Sequence, residues 1–517
     1  MGYSFMKTVV DLINGSFLGY KSKVAIRIYD KSWSYGDLHS FTDQIVTFLL
    51  EKGMKKGDRV VVLMNKSIFL YAAIVGIMRA GGVYVPLDAR APSLRLAKML
   101  DDILPFVVFI DHYHVDHYRD SQQFLKKNVE TVFLDDKECQ YFRKFDFKNR
   151  QVRNFSDLPS IRPDDLALIL FTSGSTGMPK GAMITHGNLY NIINWTIENF
   201  NYGPSDVGSA LNASAFDMSI AEIFPIFCSG GILGVYPEEI LFPKDILQLT
   251  YEYGVTKMYL VPSSLNLLVK SGLIKPELLG NMKDIILGGE TIPANILIEI
   301  MNKLPHTKFH NGYGPTEATL YVAKHTFQRP PQPDEKLFPI GFPIAGNYFI
   351  LDITEFPGEE NEGELIIIGP QVGKGYWNNP EKTELAFGIN DKGERFYRTG
   401  DIASFDPRVG YFIHGRKDNQ IKFMGYRIEL GEIEHLVSCL DFIKENVAIP
   451  VYRRGRIEGL KLVYSAERGY DKEISKYFNN NLPNYMVPKY FLRLDELPKN
   501  KSNKIDRALI KEKYETI

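Results

Sequence analysis

Cysteine is scarce: three residues in 517, at Cys139, Cys228 and Cys439, far apart and with no CxxC pairing. That excludes a disulfide framework, offers no structural zinc motif and fits a reducing compartment, so a cytoplasmic enzyme is expected. Long hydrophobic runs are missing too. The nearest approach, residues 223–236, is broken by Pro225 and three glycines and falls short of the ~18 residues of a membrane helix. The amino terminus carries Lys7 but soon meets Asp11 and Asn14, which makes a poor secretory leader. Neither sign of charge dominates: 61 Lys and Arg against 62 Asp and Glu leave a net charge of −1 and no basic footprint for nucleic acid. Repeats and low-complexity tracts are absent. What is present is globular in character, with 44% hydrophobic and 24% charged residues, in a chain long enough for ~3 domains.

Several segments read as strand–helix–strand units. Residues 59–64 form a short apolar strand. Ser67 then caps a helix through Tyr71, Ile74 and Met78 that stops at Gly81 and Gly82, and residues 83–87 make the next strand. Residues 106–110, 166–171, 258–261 and 285–287 are further strands of the buried type. The alternation predicts α/β architecture with mainly parallel sheets and functional loops at the carboxyl ends of strands. A proline-rich stretch at 329–343 ends that pattern. Strands at 363–369 and 411–413 without long helices between them predict a β-rich subdomain. After Gly415 come a polar segment, a helix at 430–440, strands near Ala448 and Lys461, and a basic tail. The expected fold is a large N-terminal region, 1–417, of two α/β sheet subdomains plus the β-rich one. A small, mobile α+β domain, 418–517, follows.

Residues 168–181, Leu-Ile-Leu-Phe-Thr-Ser-Gly-Ser-Thr-Gly-Met-Pro-Lys-Gly, are the most informative stretch. A strand runs into a loop whose N–H groups and hydroxyls can wrap polyphosphate, with Lys180 as counter-charge. It is not a Walker A loop, because Lys180 is followed by Gly181 rather than Ser or Thr, and Pro179 argues against an immediate helix. In residues 311–317, Asn-Gly-Tyr-Gly-Pro-Thr-Glu, the glycines allow close backbone approach to a flat ligand. Tyr313 can stack on a base, Thr316 can donate to a phosphate oxygen, and Glu317 can hold Mg2+, a hard cation that prefers oxygen. Asp401 follows a turn and suits two ribose hydroxyls, though an Asp that merely closes a turn is as natural. Arg416 is either a ribose or phosphate donor or a solvated linker charge. The tail at 498–507 is basic, and its composition alone singles out no residue.

Taken in order, these segments resemble the adenylate-forming superfamily, in particular amino-acid adenylation domains of nonribosomal peptide synthetases and D-alanine–carrier-protein ligases. The resemblance runs through residues 33–38, 79–88, the loop, 216–219 (Phe-Asp-Met-Ser), 311–317, 363–369, 397–401, 415–422, 425–434 and 503–507 (Asn-Lys-Ile-Asp-Arg). It implies ATP and Mg2+ as cofactors and an acyl carboxylate attacking the α-phosphate to give acyl-AMP and pyrophosphate. Lys504 would be the catalytic lysine that bridges carboxylate, α-phosphate and ribose. Thr172, Ser173, Gly174, Ser175, Thr176, Gly177 and Lys180 would grip the phosphates. Gly289, Glu290, Asn311, Gly312, Tyr313, Gly314 and Thr316 would complete the nucleotide site, with Asp401 and Arg416 on the ribose and Glu317 on the metal. In a second step the C-terminal domain would swing about Asp418, withdraw Lys504 and bring up Gly425, past which a pantetheine arm reaches.

Asp217 separates substrates within this resemblance: the matching aspartate of amino-acid-activating members binds the α-ammonium. Read from residues alone, it is also a plausible helix cap. The rest of the acid pocket would be Met218, Ala221, Ser263, Ile286, Gly288, Gly312, Leu320 and Tyr321. That lining is largely apolar and without a second charge, which favours a small or medium neutral side chain. Two departures from D-alanine ligases, Gly288 in place of an expected cysteine and the form of residues 431–434, leave a biosynthetic stand-alone adenylation enzyme equally open. The chain's end soon after Arg507 leads to the expectation of a separate carrier protein as thiol donor. The competing expectations are an acyl-CoA or acyl-AMP ligase for a non-amino acid, and a catalytically dead binding protein on the same fold.

Overall fold

The structure is a computed structural model that describes residues 8–88, 90–146, 158–174, 178–240, 242–335, 337–354, 361–453, 456–500 and 504–516. Two α/β sheets and a smaller antiparallel sheet precede an α+β carboxyl-terminal segment, the architecture expected from the alternating pattern. The first sheet has seven strands, ordered Arg143–Lys144, Thr131–Phe133, Val107–Ile110, Arg59–Leu63, Val83–Pro86, Leu166–Thr172 and Lys180–Thr185. It is parallel until its last pair, where the strand after the glycine-rich loop turns back antiparallel, Thr172 opposite Lys180. The strand begins directly after Pro179, consistent with the absence of a helix there.

The second sheet has nine strands. Its parallel centre includes Val207–Ala210, Lys257–Leu260, Asp284–Gly288 and Lys308–Tyr313. Antiparallel strands close both ends. One apolar core lies between the two sheets, filled by the helices Tyr35–Glu51, Ile68–Arg79 and Met218–Ser229. Ser67 caps Ile68–Arg79 through Leu70 N–H at 3.2 Å, as the sequence predicts. The strands Tyr348–Asp352, Glu362–Ile368, Arg395–Asp406, Phe387–Ile389 and Gly410–Arg416 form the β-rich subdomain.

The carboxyl-terminal segment begins with a hairpin, Gln420–Phe423 paired to Tyr426–Glu429. A three-stranded sheet and the helices Leu430–Val437, Asp471–Asn481 and Arg507–Tyr514 follow. The first of these helices is a turn shorter than the pattern 430–440 suggests, because the backbone closes into turns at Leu440 and Ile443. Ile428, Ile433, Leu462, Ile474 and Phe478 are buried in a cluster made entirely of residues after 420. Among the described residues no helix is long and apolar enough to cross a membrane.

The second sheet and the β-rich subdomain share an apolar cluster and are also joined through backbone. Tyr411 N–H donates to the Gly341 carbonyl at 2.9 Å, and Ile340 N–H donates to the Tyr411 carbonyl at 2.8 Å. Gly341 has φ +83°, and a Cβ there would lie 2.0 Å from the Lys324 carbonyl oxygen. Gly341→Ala is therefore expected to destabilise the protein by roughly 2–4 kcal/mol, read as a lowered urea midpoint.

Candidate active site

A cleft of about 870 Å³, part of it open solvent, lies where the carboxyl ends of both α/β sheets, the β-rich subdomain and the hairpin converge. Each wall comes from a different part of the chain. Thr172 and Ser173 enter from the first sheet. Asp217 precedes the helix Met218–Ser229, and Tyr313 and Thr316 end the last parallel strand of the second sheet. Asp401 and Arg416 come from the β-rich sheet, and Lys422, Gly425 and Arg427 from the hairpin.

Asp217 occupies the N-cap position of its helix but makes no capping hydrogen bond. Its carboxylate accepts instead from the Thr316 hydroxyl at 2.6 Å. Burial pushes its carboxyl up from the ordinary range, with that hydroxyl and the Lys422 ammonium pulling it back. The capping explanation for this residue therefore falls away, and Thr316 meets Asp217 in this structure.

Tyr313 donates its hydroxyl to Asp401, whose other oxygen accepts from Arg416 Nη1 at 2.8 Å. Arg416 also grips Asp418 as a fork, Nε–Oδ1 at 2.7 Å and Nη2–Oδ2 at 2.6 Å. The expected ribose ligands and the expected hinge residue thus form one charged chain. Glu290 is turned to the hairpin: it accepts from Ser263 N–H at 2.8 Å and from Gly425 N–H. Gly425 suits glycine twice over, with φ +80° and a missing Cβ that would sit 3.0 Å from Val261 Cγ1. Gly289 and Gly314 line the cleft, whereas the Asn311 amide donates to the Pro339 carbonyl at 2.9 Å.

Glu317, wholly buried, is engaged by Arg427 Nη1 at 2.8 and 3.0 Å and by the Tyr376 hydroxyl at 2.7 Å. Burial alone would raise its carboxyl; Arg427 and Lys180 outweigh that and hold it at about 2. Lys180 lies over the Tyr376 ring at 4.9 Å and 3.8 Å from Glu429, and burial lowers its ammonium. Glu317 with phosphate oxygens is the donor set Mg2+ prefers, so the residues fit such an ion once Arg427 is withdrawn. Among the described residues no cluster of three or more His, Cys, Asp or Glu could hold a metal unaided.

Of the acid-pocket residues, Met218, Ile286, Gly288, Gly312 and Tyr321 are brought together behind Asp217. A Cβ on Gly288 would lie 3.0 Å from the Gly312 carbonyl oxygen and 3.9 Å from Met218 Cε, and one on Gly312 would lie 3.6 Å from Tyr321 Cβ. Tyr321 shares a 2.6 Å hydrogen bond with Thr196. Ala221 is buried on the same helix as Met218, Leu320 is held at φ +80°, and Ser263 is bound to Glu290. Ser175, Thr176 and Gly177 lie outside the described residues. Lys504 is not brought to the cleft: it is exposed, its N–H donating to Asn500 Oδ1 at 3.1 Å.

Among the cleft residues that the sequence reading did not assign, three on the hairpin matter most. Lys422 projects into the cleft within the field of Asp401 and Asp217, surrounded by protein yet wetted by cleft solvent, and burial lowers its ammonium. Arg427 sits directly across the hairpin from it. Tyr426 stacks on Tyr485, centroids 3.7 Å apart. The alternation of a strand between two family motifs was the available signal, since residues 420, 422 and 427 share one hairpin with Gly425.

The chain belongs to the AMP-binding enzyme family, whose model matches residues 17–377. It is 32% identical over 495 residues to an L-proline–[L-prolyl-carrier protein] ligase of Streptomyces coelicolor, covering 92% of this chain and 90% of that one. It is 31% identical to gramicidin S synthase 2 of Brevibacillus brevis over 99% of this chain, yet spans only 11% of that protein's length. The fold matches that of the Vibrio cholerae adenylation domain AlmE, solved with glycyl-adenosine-5'-phosphate, at TM-score 0.83 and 22% identity, covering 99% of each chain.

The depressed carboxyl of Glu317 carries a sign. Its folded value lies below the unfolded 4.5, so its contribution is full at neutral pH and is lost as pH falls from about 4.5 to about 2. The contribution is about 3 kcal/mol by linkage. Arg427→Met should abolish that acid-side slope and lower stability at neutral pH, as read by urea unfolding across a pH series.

Proposed function

We propose that this chain activates an amino acid as its aminoacyl-AMP, releasing pyrophosphate, and then passes the aminoacyl group to the phosphopantetheine thiol of a separate carrier protein. The observation that carries the reading is Asp217. It is a half-buried carboxylate in the cleft wall that does not cap its helix, with one oxygen on a hydroxyl and a fixed position suited to an ammonium ion. A buried carboxylate facing an ammonium is a strong charge-assisted pair, and an acid without the amine would leave it unpaired. The carrier-protein ligase relative supports both the substrate class and the thiol partner.

In the first step a carboxylate oxygen of the amino acid attacks the α-phosphorus of ATP. The new C–O–P linkage forms as the bond to the β-phosphate oxygen breaks, and pyrophosphate leaves. Ser173, Gly174 and Lys180 hold the departing phosphates, Tyr313 lies against adenine, and Asp401 with Arg416 holds the ribose. Glu317 would hold Mg2+, which neutralises phosphate charge when bound. Lys504 supplies positive charge to the phosphorus oxygens, so residues 418–517 must rotate about Asp418 from the orientation described above. In the second step the thiol sulfur attacks the aminoacyl carbonyl and AMP leaves. Gly425, docked on Val261, and the edge-on contact of Tyr426 with Phe216 at 5.2 Å support this orientation as the thiol-accepting one.

Amino-acid-dependent ATP–pyrophosphate exchange, run across D-, L- and β-amino acids with their des-amino counterparts, tests the reading. Exchange with no amino acid, or exchange driven equally well by des-amino acids, sinks it. Asp217→Ala is expected to lower kcat/KM for the amino acid about 100-fold, leaving any des-amino acid nearly unaffected. Lys504→Ala is expected to slow adenylation about 100-fold or more while sparing transfer from preformed aminoacyl-AMP, a split visible in single-turnover kinetics.

A further inference from the structure

Three of the described groups assigned to the phosphates, and the carboxylate assigned to the metal, are already engaged by one short segment, while the Thr172 hydroxyl donates to the Lys180 carbonyl at 3.4 Å. Ser173 Oγ donates to the Arg427 carbonyl at 2.7 Å. Gly174 N–H donates to Glu432 Oε2 at 3.2 Å. Lys180 Nζ stands 3.8 Å from Glu429 Oε1. Glu317, the carboxylate assigned to the metal, carries the Arg427 guanidinium. Residues 427–432 therefore present acceptors and carboxylates where phosphate oxygens belong, and a cation where the metal belongs. The match is by sign at each position.

Glu432 is the telling member. It has no exposed surface, so its charge needs a partner, and Arg95 in the helix Ser93–Ile103 supplies it from the amino-terminal region. A buried carboxylate bridging an arginine and the N–H of a glycine-rich loop is an anion-site contact made by protein instead of ligand. No family motif named above contains Arg95.

We propose that Arg95 and Glu432 form a latch in which Glu432 substitutes for pyrophosphate on the loop, so that Mg2+–pyrophosphate and the orientation seen here exclude one another. This rests on the reading of residues 172–180 as the phosphate loop. The latch makes Arg95 a positioning residue for the second step and pyrophosphate an antagonist of that step. Coupling is reciprocal: whatever factor pyrophosphate costs the latch, the latch costs pyrophosphate.

Isothermal titration of the full chain with inorganic pyrophosphate and Mg2+ tests this. Glu432→Gln and Arg95→Met should each bind pyrophosphate roughly fivefold or more tightly than the unaltered protein, with Arg95→Lys lying between. Tighter binding is a result that simple structural damage does not produce. A second measurement reads orientation directly. Arg456 Nη2 lies 3.4 Å from Asn295 Oδ1 across the same junction. Cysteines at 295 and 456, in a chain with its three native cysteines changed to alanine, should be joined by a short bismaleimide. Pyrophosphate with Mg2+ should suppress that joining, as should Glu432→Gln. Unchanged or weaker pyrophosphate binding in both variants, or joining that ignores pyrophosphate, overturns the latch. If the unaltered chain catalyses amino-acid-dependent exchange while the variants behave so, the latch alone fails. If no form binds pyrophosphate or supports exchange, the phosphate-loop reading falls with it.

Discussion

The ion pair between Arg427 and Glu317 organises the cleft. Glu317 belongs to the amino-terminal sheets and is fully buried; Arg427 belongs to the hairpin. Removing both charges from water is costly, and their attraction offsets the cost only because the geometry is good and Tyr376 satisfies a further lone pair. The pair fixes where the hairpin sits, and with it the positions of Lys422, Gly425 and Tyr426. The neighbouring contacts of Glu432 with Arg95 and Gly174, and of Glu290 with Gly425, are of the same ionic and hydrogen-bonded kind.

The cleft itself follows from sheet topology. Parallel strands in both sheets point their carboxyl ends to one side, and the loops that leave them carry the glycines and hydroxyls that approach a ligand. The β-rich sheet then supplies Asp401 and Arg416 from a third direction. No single layer holds the site. It exists where three sheets and the hairpin meet, which is why residues more than two hundred apart, such as Ser173 and Arg427, share a hydrogen bond.

Much of this was legible in the chain. Ser67 as a cap, the strands read at 59–64 and 166–171, and the absence of a helix directly after Pro179 all follow from local chemistry, whereas the antiparallel turn-back was not read. Thr172, Ser173, Asp217, Tyr313, Thr316, Asp401 and Arg416 were each picked from short motifs, and the structure gathers them into one cleft. Asp217 was ambiguous because the position before a helix suits a cap and a ligand alike; only its bond to Thr316, 99 residues away, separates the two. Lys422, Arg427, Arg95 and Glu432 were not legible. Alternation could have placed Lys422 and Arg427 on one hairpin, but the partners of all four are distant and no spacing records those contacts. The position of Lys504 was illegible for another reason: its motif does not encode how the segment that carries it packs against the rest of the chain.

The hairpin sets Lys422 and Arg427 opposite each other, two like charges side by side on adjacent strands. Such a pair is unfavourable by itself, and the hairpin finds relief only against the carboxylates of Glu317, Asp401 and Asp217. The cleft is therefore an electrostatic counter whose total sets how strongly it draws the hairpin in. Neutralising any one of these carboxylates would therefore loosen the hairpin as a whole and not only the residue that faces it.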